Sequence, residues 1–589
     1  MRYFKVIVFI FIILNLAAPL VAADNFFPPA DWQDRLDPLA GPDAVAGRKI
    51  SVWLGPYPKS LNYYLDTSSQ AAQVFGALFE TLLTQNPITL AFEPALAERW
   101  SVSADKRSFT LYLNKNARWS DGTPLTAADV RFTYDTIMDP KNLTGPHKLA
   151  MEDFNPPEVL DGFTIRFVAK NIHWRNLMSI GGMQVLCKAA YQNKDFNKIN
   201  FDFPVVSGPY RVGAINEGIL ITLKRRNDWW NQKSKRTRNT YNFETIVFKF
   251  FSERENAFEA FKKGLIDLFP VYTARQWVNG TKGERFSNNW IVKQKIFNRK
   301  PVGFQGFAMN MRKTPFDDVL VRKAMAHLVD RRKINATLMY NQYFLHRSYY
   351  EDLYSKKNPC PNPITELDKK KARSLLKQAG WVVNAKTGYL EKNGRRFRFT
   401  FLTREASTDK FLTIFMEDLK DVGIEMVIDR KDWAAWARDM EEHNFQMTWA
   451  AWGAGLFKDP EGMWSSKEAD RKGGSNITGF KNKTVDKLIE EQKSIFDIKK
   501  RNNIVRKIDA IVYQAFPYVL LWNINYTRLL YWNKFGTPEW VLSKYGDESS
   551  IYGYWWFDED SAAELEDAMA EKALLPHKAA TIKFDDHFK

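Results

Sequence analysis

Residues 108–138 read SFTLYLNKNARWSDGTPLTAADVRFTYDTIM, and three local rules divide the stretch into a strand, a turn and a helix. Residues 109–113 alternate aromatic, β-branched and leucine side chains, the composition of a buried strand, and Ser120-Asp121-Gly122 supplies turn chemistry. Thr126 stands at a helix N-cap position, with Asp129 three residues on to reach back in a capping box. Val130, Tyr134 and Ile137 then fall on one helical face.

Working outward, the N-terminus bears on the compartment. Arg2 and Lys5 precede an apolar run over residues 6–14, and Val21-Ala22-Ala23 offers the small residues of a cleavage site. Residues 1–23 are therefore expected to be a cleavable signal peptide that secretes the chain across the inner membrane. No cysteine follows the site for lipid attachment, so a freely diffusing periplasmic protein is expected. An uncleaved anchor is the alternative, but the run is short for a span. Removing Arg2 and Lys5 lowers the formal charge from +17 to +15. The remaining basic clusters, such as Lys224-Arg225-Arg226 and Lys369-Lys370-Lys371, are scattered. They read as solvated charge, which argues against a nucleic-acid partner. Cys187 and Cys360 would share an oxidising compartment, and the sequence leaves both a disulfide and two free thiols open.

The common catalytic arrangements are missing from the sequence. Seven dispersed histidines form no H-E-x-x-H, and G-x-S-x-G, the phosphate-binding loop and C-x-x-C do not occur. No catalytic residue, metal or cofactor is expected, and acidic residues such as Glu152, Glu417 and Asp418 read as surface charge.

Further motifs recur along the chain. Val206-Ser207-Gly208-Pro209-Tyr210 precedes a strand near residues 219–223, and Arg226-Asn227-Asp228-Trp229-Trp230 follows it. Residues 256–264, NAFEAFKKG, read as a helix stopped by Gly264. Pro315-Phe316-Asp317-Asp318 leads into Val321-Arg322-Lys323-Ala324 and Asp330-Arg331. Asp368 caps a helix that Gly380 ends, and a second helix over 411–422 ends at Gly423. Strands are expected at 397–402, 424–428 and 517–522. W-S-D-G-T-P-L-T-A-A-D-V, S-G-P-Y, R-N-D-W-W, P-F-D-D and the C-terminal Trp555-Trp556-Phe557-Asp558 together resemble the family 5 extracellular solute-binding proteins. These include oligopeptide, dipeptide and nickel receptors, and the pattern A-F-x-A-F-x-x-G-x-x-D is similar to the microcin C-type branch.

That resemblance implies an α/β, two-lobed periplasmic binding protein of the large, type II-like kind. Residues 24–60, 206–300 and 516–589 are expected to build a discontinuous first lobe. Residues 61–205 are expected to be its inserted subdomain, and 301–515 the second lobe; the tail after Asp560 is expected at the periphery. The implied function is the binding component of an ABC transporter, a monomer that closes on a peptide or modified peptide and delivers it to an inner-membrane permease.

The site follows from Thr448-Trp449-Ala450-Ala451-Trp452-Gly453-Ala454-Gly455, an apolar run ending in small residues that admit another backbone. In peptide receptors of the family the matching segment pairs its main chain with an extended ligand, a role the resemblance carries to Ala451, Trp452, Gly453 and Ala454. The bland reading is that Trp449 and Trp452 simply pack into the lobe. Oligopeptide and dipeptide receptors carry an aspartate for the ligand ammonium where this chain has Gly455; Asp459, four residues on, is the substitute to consider. Tyr63, Tyr64, Trp433 and Trp436 are aromatic candidates for a cleft wall, and His147 occupies the place of a ligand-contacting tyrosine in some relatives. Three competing readings stay open: an oligosaccharide receptor of the same family, a periplasmic hydrolase with an unrecognised carboxylate site, and a chaperone-like binder of unfolded segments.

Overall fold

In a computed structural model, which describes residues 25–28, 32 and 35–587, three sheets carry the architecture. The expected signal peptide lies outside the described residues, and among those described no helix is long and apolar enough to cross a membrane.

The stretch at residues 108–138 folds as its sequence reads. Strand Ser108–Leu113 buries Phe109, Leu111 and Leu113 and turns Thr110 and Tyr112 outward, the alternation of a one-sided antiparallel sheet. Helix Ala127–Met138 buries Val130, Tyr134 and Ile137 against it. The Asp129 carboxylate accepts from the Thr126 N–H at 2.8 Å, as a capping box requires. The Thr126 side chain takes the Asp129 backbone N–H in return, completing the box, and its hydroxyl also lies 3.0 Å from that carboxylate. The second Asp129 oxygen is drawn away to the Lys188 N–H.

Where the inserted subdomain was expected, the chain forms a five-stranded antiparallel sheet in the order Asn25–Phe27, Ala97–Val102, Ser108–Leu113, Thr164–Val168, Glu158–Asp161. The first of these strands departs from the expected assignment of residues 24–60 to the first lobe. Phe26 and Phe27 stack on Tyr112 and Trp100, and those ring contacts hold the strand on the subdomain's edge.

The first lobe is an eight-stranded mixed sheet. Its strands come from Lys49–Trp53, from four segments between Tyr210–Asn216 and Leu268–Pro270, and from Ile291–Phe297, Thr527–Trp532 and Thr581–Lys583. The tail after Asp560 is therefore not peripheral. Thr581–Lys583 pairs in parallel with Ile291–Phe297, and helix Glu559–Glu571 buries Leu565 and Ala568 beside Trp290 and Trp532.

The second lobe holds a five-stranded sheet in the order Glu425–Arg430, Arg398–Thr403, Met447–Trp452, Phe304–Met309, Tyr518–Leu520. Helix Asp409–Lys420 joins two of its parallel strands, Arg398–Thr403 and Glu425–Arg430, and seats Phe415 on Phe307 with ring centroids 5.2 Å apart. Gly423 takes φ +86°, the left-handed stop its sequence suggested. Because Tyr518–Leu520 hydrogen-bonds to Phe304–Met309, the lobe continues past the expected break at 515. The chain crosses between the two large sheets over residues 298–303 and 521–526.

Cys187 and Cys360 are both free and buried. Cys187 packs in the core shared by the five-stranded and eight-stranded sheets, while Cys360 lies by the Arg347 carbonyl in the second lobe, and no bridge joins them. Burial pushes both thiols up to about 11.

Candidate functional site

Strand Met447–Trp452 pairs along its whole length with Phe304–Met309, in the register Phe304↔Trp452 to Met309↔Met447. On its other side it meets Arg398–Thr403 only at Met447 and Thr448. The direction of the remaining backbone groups follows from alternation. The Gln305 carbonyl accepts from the Leu521 N–H and the Met309 N–H donates to the Pro517 carbonyl, so odd-numbered residues of that strand face Tyr518–Leu520. Gly306 and Phe304 must then bond to Ala450 and Trp452. Ala451, between them, turns its N–H and C=O the other way, beyond the end of the neighbouring strand. Ala451 is exposed, as are Gly453 and Gly455, while Trp452 and Ala454 are half-buried. A strand edge of this kind, two to four residues long and open to solvent, accepts an extended chain through main-chain hydrogen bonds alone.

The tryptophans are fastened to the lobe. Trp449 Nε1 donates to Gln305 Oε1 at 3.0 Å, and its ring meets Phe307, Phe411 and Trp522 edge-on. Trp452 Nε1 donates to the Tyr518 hydroxyl at 3.1 Å. What this segment offers outward is backbone. Its position depends on Gly303, where a Cβ would stand 1.9 Å from the Trp452 carbonyl oxygen.

Opposite Gly455 lies the inserted subdomain. Gly455, Phe457 and Asp459 of the second lobe and Trp174, Arg175 and Met178 of the subdomain line a cavity of about 470 Å³. Ion pairs and hydrogen bonds cross it. Arg175 Nη1 bonds Asp459 Oδ2 at 2.9 Å and Arg175 Nη2 bonds Asp153 Oδ2 at 3.3 Å. Trp174 Nε1 donates to Gln492 Oε1 at 2.8 Å, and the Arg501 guanidinium lies 4.0 Å over the Trp174 ring. The two lobes are thus clasped. Asp459 is paired with Arg175, so in this structure it is not a free partner for a ligand ammonium. Lys458 turns away from it to Asp352 and the Gly455 carbonyl.

His173, Asp459 and Glu461 bring their ligand atoms within 4.8 Å of one another. Each is already engaged by a protein partner, Asp459 by the Arg175 guanidinium and Glu461 by Lys467 and Lys493. The His173 Nδ1 accepts from the Arg175 N–H at 3.1 Å, which leaves the ring proton on Nε2. Glu461 is raised by burial but lowered further by hydrogen bonds from Lys467 and Lys493, and ends near 2. Burial, and then Arg175, push His173 down to about 4, so the imidazole is neutral at physiological pH.

Tyr64 and His147 serve the subdomain's packing. Tyr64 is 3% exposed and donates its hydroxyl to the Gln184 carbonyl at 2.6 Å. His147 Nε2 lies 2.9 Å from the Tyr63 carbonyl, and its ring meets Tyr63 and Tyr64 edge-on. Trp433 and Trp436 stack on each other beneath Arg404, with Trp433 61% exposed on its helix. Sequence reasoning missed Trp174 and Arg175. The signal available was the run His173-Trp174-Arg175, an aromatic and a cation between a strand and a short helix, where nothing local requires either.

Known proteins share this architecture. A putative binding protein of Brucella melitensis is 26% identical over 580 residues, 90% of this chain and 92% of its own length. The probable peptide-binding protein YejA of Agrobacterium fabrum is 24% identical, covering 81% and 84%. The oligopeptide-binding protein AppA of Bacillus subtilis, solved with a nonapeptide, superposes with a TM-score of 0.68 at 22% identity over 88% of this chain and all of AppA. Residues 91–474 match the family described as bacterial extracellular solute-binding proteins, family 5. With nearly two thirds of its length inside that match and the two-lobed fold around it, the chain belongs to the family 5 solute-binding proteins.

Proposed function

We propose that this chain is the periplasmic binding component of an ABC transporter and captures a peptide or modified peptide by lobe closure. The observation that carries the reading is the main-chain edge at Ala451, left open by the neighbouring strand, in a segment whose Gly455 lines a cavity with Trp174 and Arg175. Backbone pairing gives affinity without demanding particular ligand side chains. The peptide named with AppA and the peptide-binding name of the Agrobacterium relative support the ligand class. Residues Ala451 to Gly455 are the proposed main-chain contacts, and the crossings at 298–303 and 521–526 are the proposed hinge. The ligand stabilises the closed population that docks on an inner-membrane permease, with no covalent chemistry. A micromolar ligand would supply about 8 kcal/mol net of ordering and closure.

Native mass spectrometry of the purified protein is expected to show a co-purifying peptide. Ala451→Pro removes the N–H on the open edge while leaving the ladder to Phe304–Met309 intact. Peptide affinity measured by titration calorimetry should fall about tenfold or more, since an N–H···O bond and its partner are both lost, with the melting temperature nearly unchanged. Equal affinity in the variant would remove Ala451 from the site.

A further inference from the structure

Where the chain crosses between lobes, a second cavity of about 190 Å³ opens. Tyr272, Asn298, Gly303, Asn523, Tyr526 and Arg528 line it, with Glu548 at its wall. Arg528 is 1% exposed, yet its guanidinium is poorly satisfied. Its Nη1 and Nη2 reach only the hydroxyls of Tyr343 at 3.4 Å and Tyr526 at 3.5 Å, both beyond ordinary hydrogen-bond length, and Nε has no acceptor among the described residues. Among the described residues the other four buried arginines are treated differently. Arg226, Arg322, Arg331 and Arg501 each point their guanidinium at two or more backbone carbonyls.

An arginine carries its charge at every physiological pH, so burial without an anion costs several kcal/mol. The surroundings prepare the group without neutralising it. The rings of Tyr343 and Tyr526 lie 5.1 and 5.5 Å from it, one from the second lobe and one from the hinge. Lys295, directly across the ladder, adds a second cation 5.2 Å over the Tyr526 ring. Glu548 is engaged by the Tyr272 hydroxyl at 2.7 Å, and Lys300 stands 3.7 Å from Asp547. The donors left unspent are those an oxyanion would take. The acid on the same wall favours a single negative charge over a phosphate dianion, and the volume suits one small terminal group.

We propose that this hinge cavity seats a carboxylate of the captured ligand on Arg528. The proposal rests on the peptide reading above and gives it a polarity. Gly303 lines the cavity and also backs the Trp452 carbonyl, so the seat and the strand edge share a wall. A carboxylate there would touch both lobes through Arg528, Tyr526 and Tyr343, and would therefore favour closure.

Titration calorimetry on the full secreted chain tests it with three probes: tetraalanine, its C-terminal amide, and that amide with aspartate at the third position. Tetraalanine should bind about tenfold tighter than its amide, the difference shrinking below about threefold in Arg528→Met and surviving in part in Arg528→Lys. Recovery by the aspartate probe alone would assign the seat to a side-chain carboxylate, still on Arg528. Equal binding of all three probes to the native chain, or an acid preference that persists in a folded Arg528→Met, overturns the proposal. The native-chain comparison and Arg528→Lys stand if the methionine variant does not fold. If no peptide binds, the peptide reading fails by itself, and propionate decides the seat. At about 100 mM it should raise the melting temperature of the native chain roughly 2 °C above equal chloride, but not that of Arg528→Met; no difference refutes the seat.

Discussion

Arg175→Met is the perturbation that most directly probes closure. Arg175 and Asp459 hold a 2.9 Å contact between the inserted subdomain and the second lobe with side chains 37% and 22% exposed. At an effective dielectric of about 20 the bare attraction is roughly 6 kcal/mol. Desolvation and solvent screening remove most of it, leaving about 1 kcal/mol for a half-exposed pair within a network. The second contact, to Asp153, stays within the subdomain and does not change with closure. The Trp174 bond to Gln492 and the Arg501 contact persist in the variant, so closure should be weakened and not abolished.

A shift of about 1 kcal/mol in the open–closed equilibrium lowers apparent affinity roughly fivefold when closure is needed for tight binding. The measurement is a double-mutant cycle of Arg175→Met and Asp459→Asn, reading tetraalanine affinity by calorimetry and the ligand-free radius of gyration by small-angle scattering. Each single variant should bind more weakly and scatter as a more open molecule, and the double variant should be little worse than either, with a coupling near 1 kcal/mol. Raising salt should shrink the difference between native chain and variants. A coupling under about 0.3 kcal/mol together with an unchanged radius would show that the pair merely accompanies closure.

Three further outcomes are expected. Gly303→Ala places a methyl 1.9 Å from the Trp452 carbonyl, a backbone clash no rotamer relieves, and should cost about 2–4 kcal/mol or solubility outright by denaturant titration. Burial pushes the Asp509 carboxyl up to about 6 against the donors Tyr349 N–H, Ser348 and Tyr354. A raised acid stabilises the fold at pH below its unfolded value near 4 and loses that contribution as pH rises through about 6, so the native chain should lose up to about 3 kcal/mol between pH 4 and 7 through this group, and the same titration of Asp509→Asn should lack that slope. Because Gly455 offers no carboxylate and Asp459 is held by Arg175, N-acetylating a binding peptide should cost less than about tenfold in calorimetry; a loss near a hundredfold would mean that another acid anchors the ligand ammonium.

How much of this was legible beforehand differs by level. The strand, turn and helix of residues 108–138 are governed by near neighbours: period-two burial, Asp-Gly chemistry and a three-residue cap. Their reading survives, the capping box included, and what it could not foresee is that the second Asp129 oxygen takes the Lys188 N–H from far along the chain. Assignments that depended on what a segment packs against were less secure. Phe26 and Phe27 look like an extended N-terminal lead, but only the facing rings of Tyr112 and Trp100 decide which sheet they join. Tyr64 was a plausible cleft aromatic until burial and the Gln184 carbonyl claimed its hydroxyl.

The site separates the two cases most clearly. The open edge at Ala451 is announced by a run of small residues, because backbone recognition needs the absence of side chains, and absence can be read from sequence. The partners of Asp459 and Arg528 cannot be read that way. One acid is silenced by an arginine 284 residues earlier in the chain, while one arginine lacks its acid altogether. Whether a charge is spent or available is a property of the closed fold. On that measure Asp459, the substitute acid considered from its place in the chain, is already spent on Arg175, while Arg528, which no local pattern marks, keeps donors to offer.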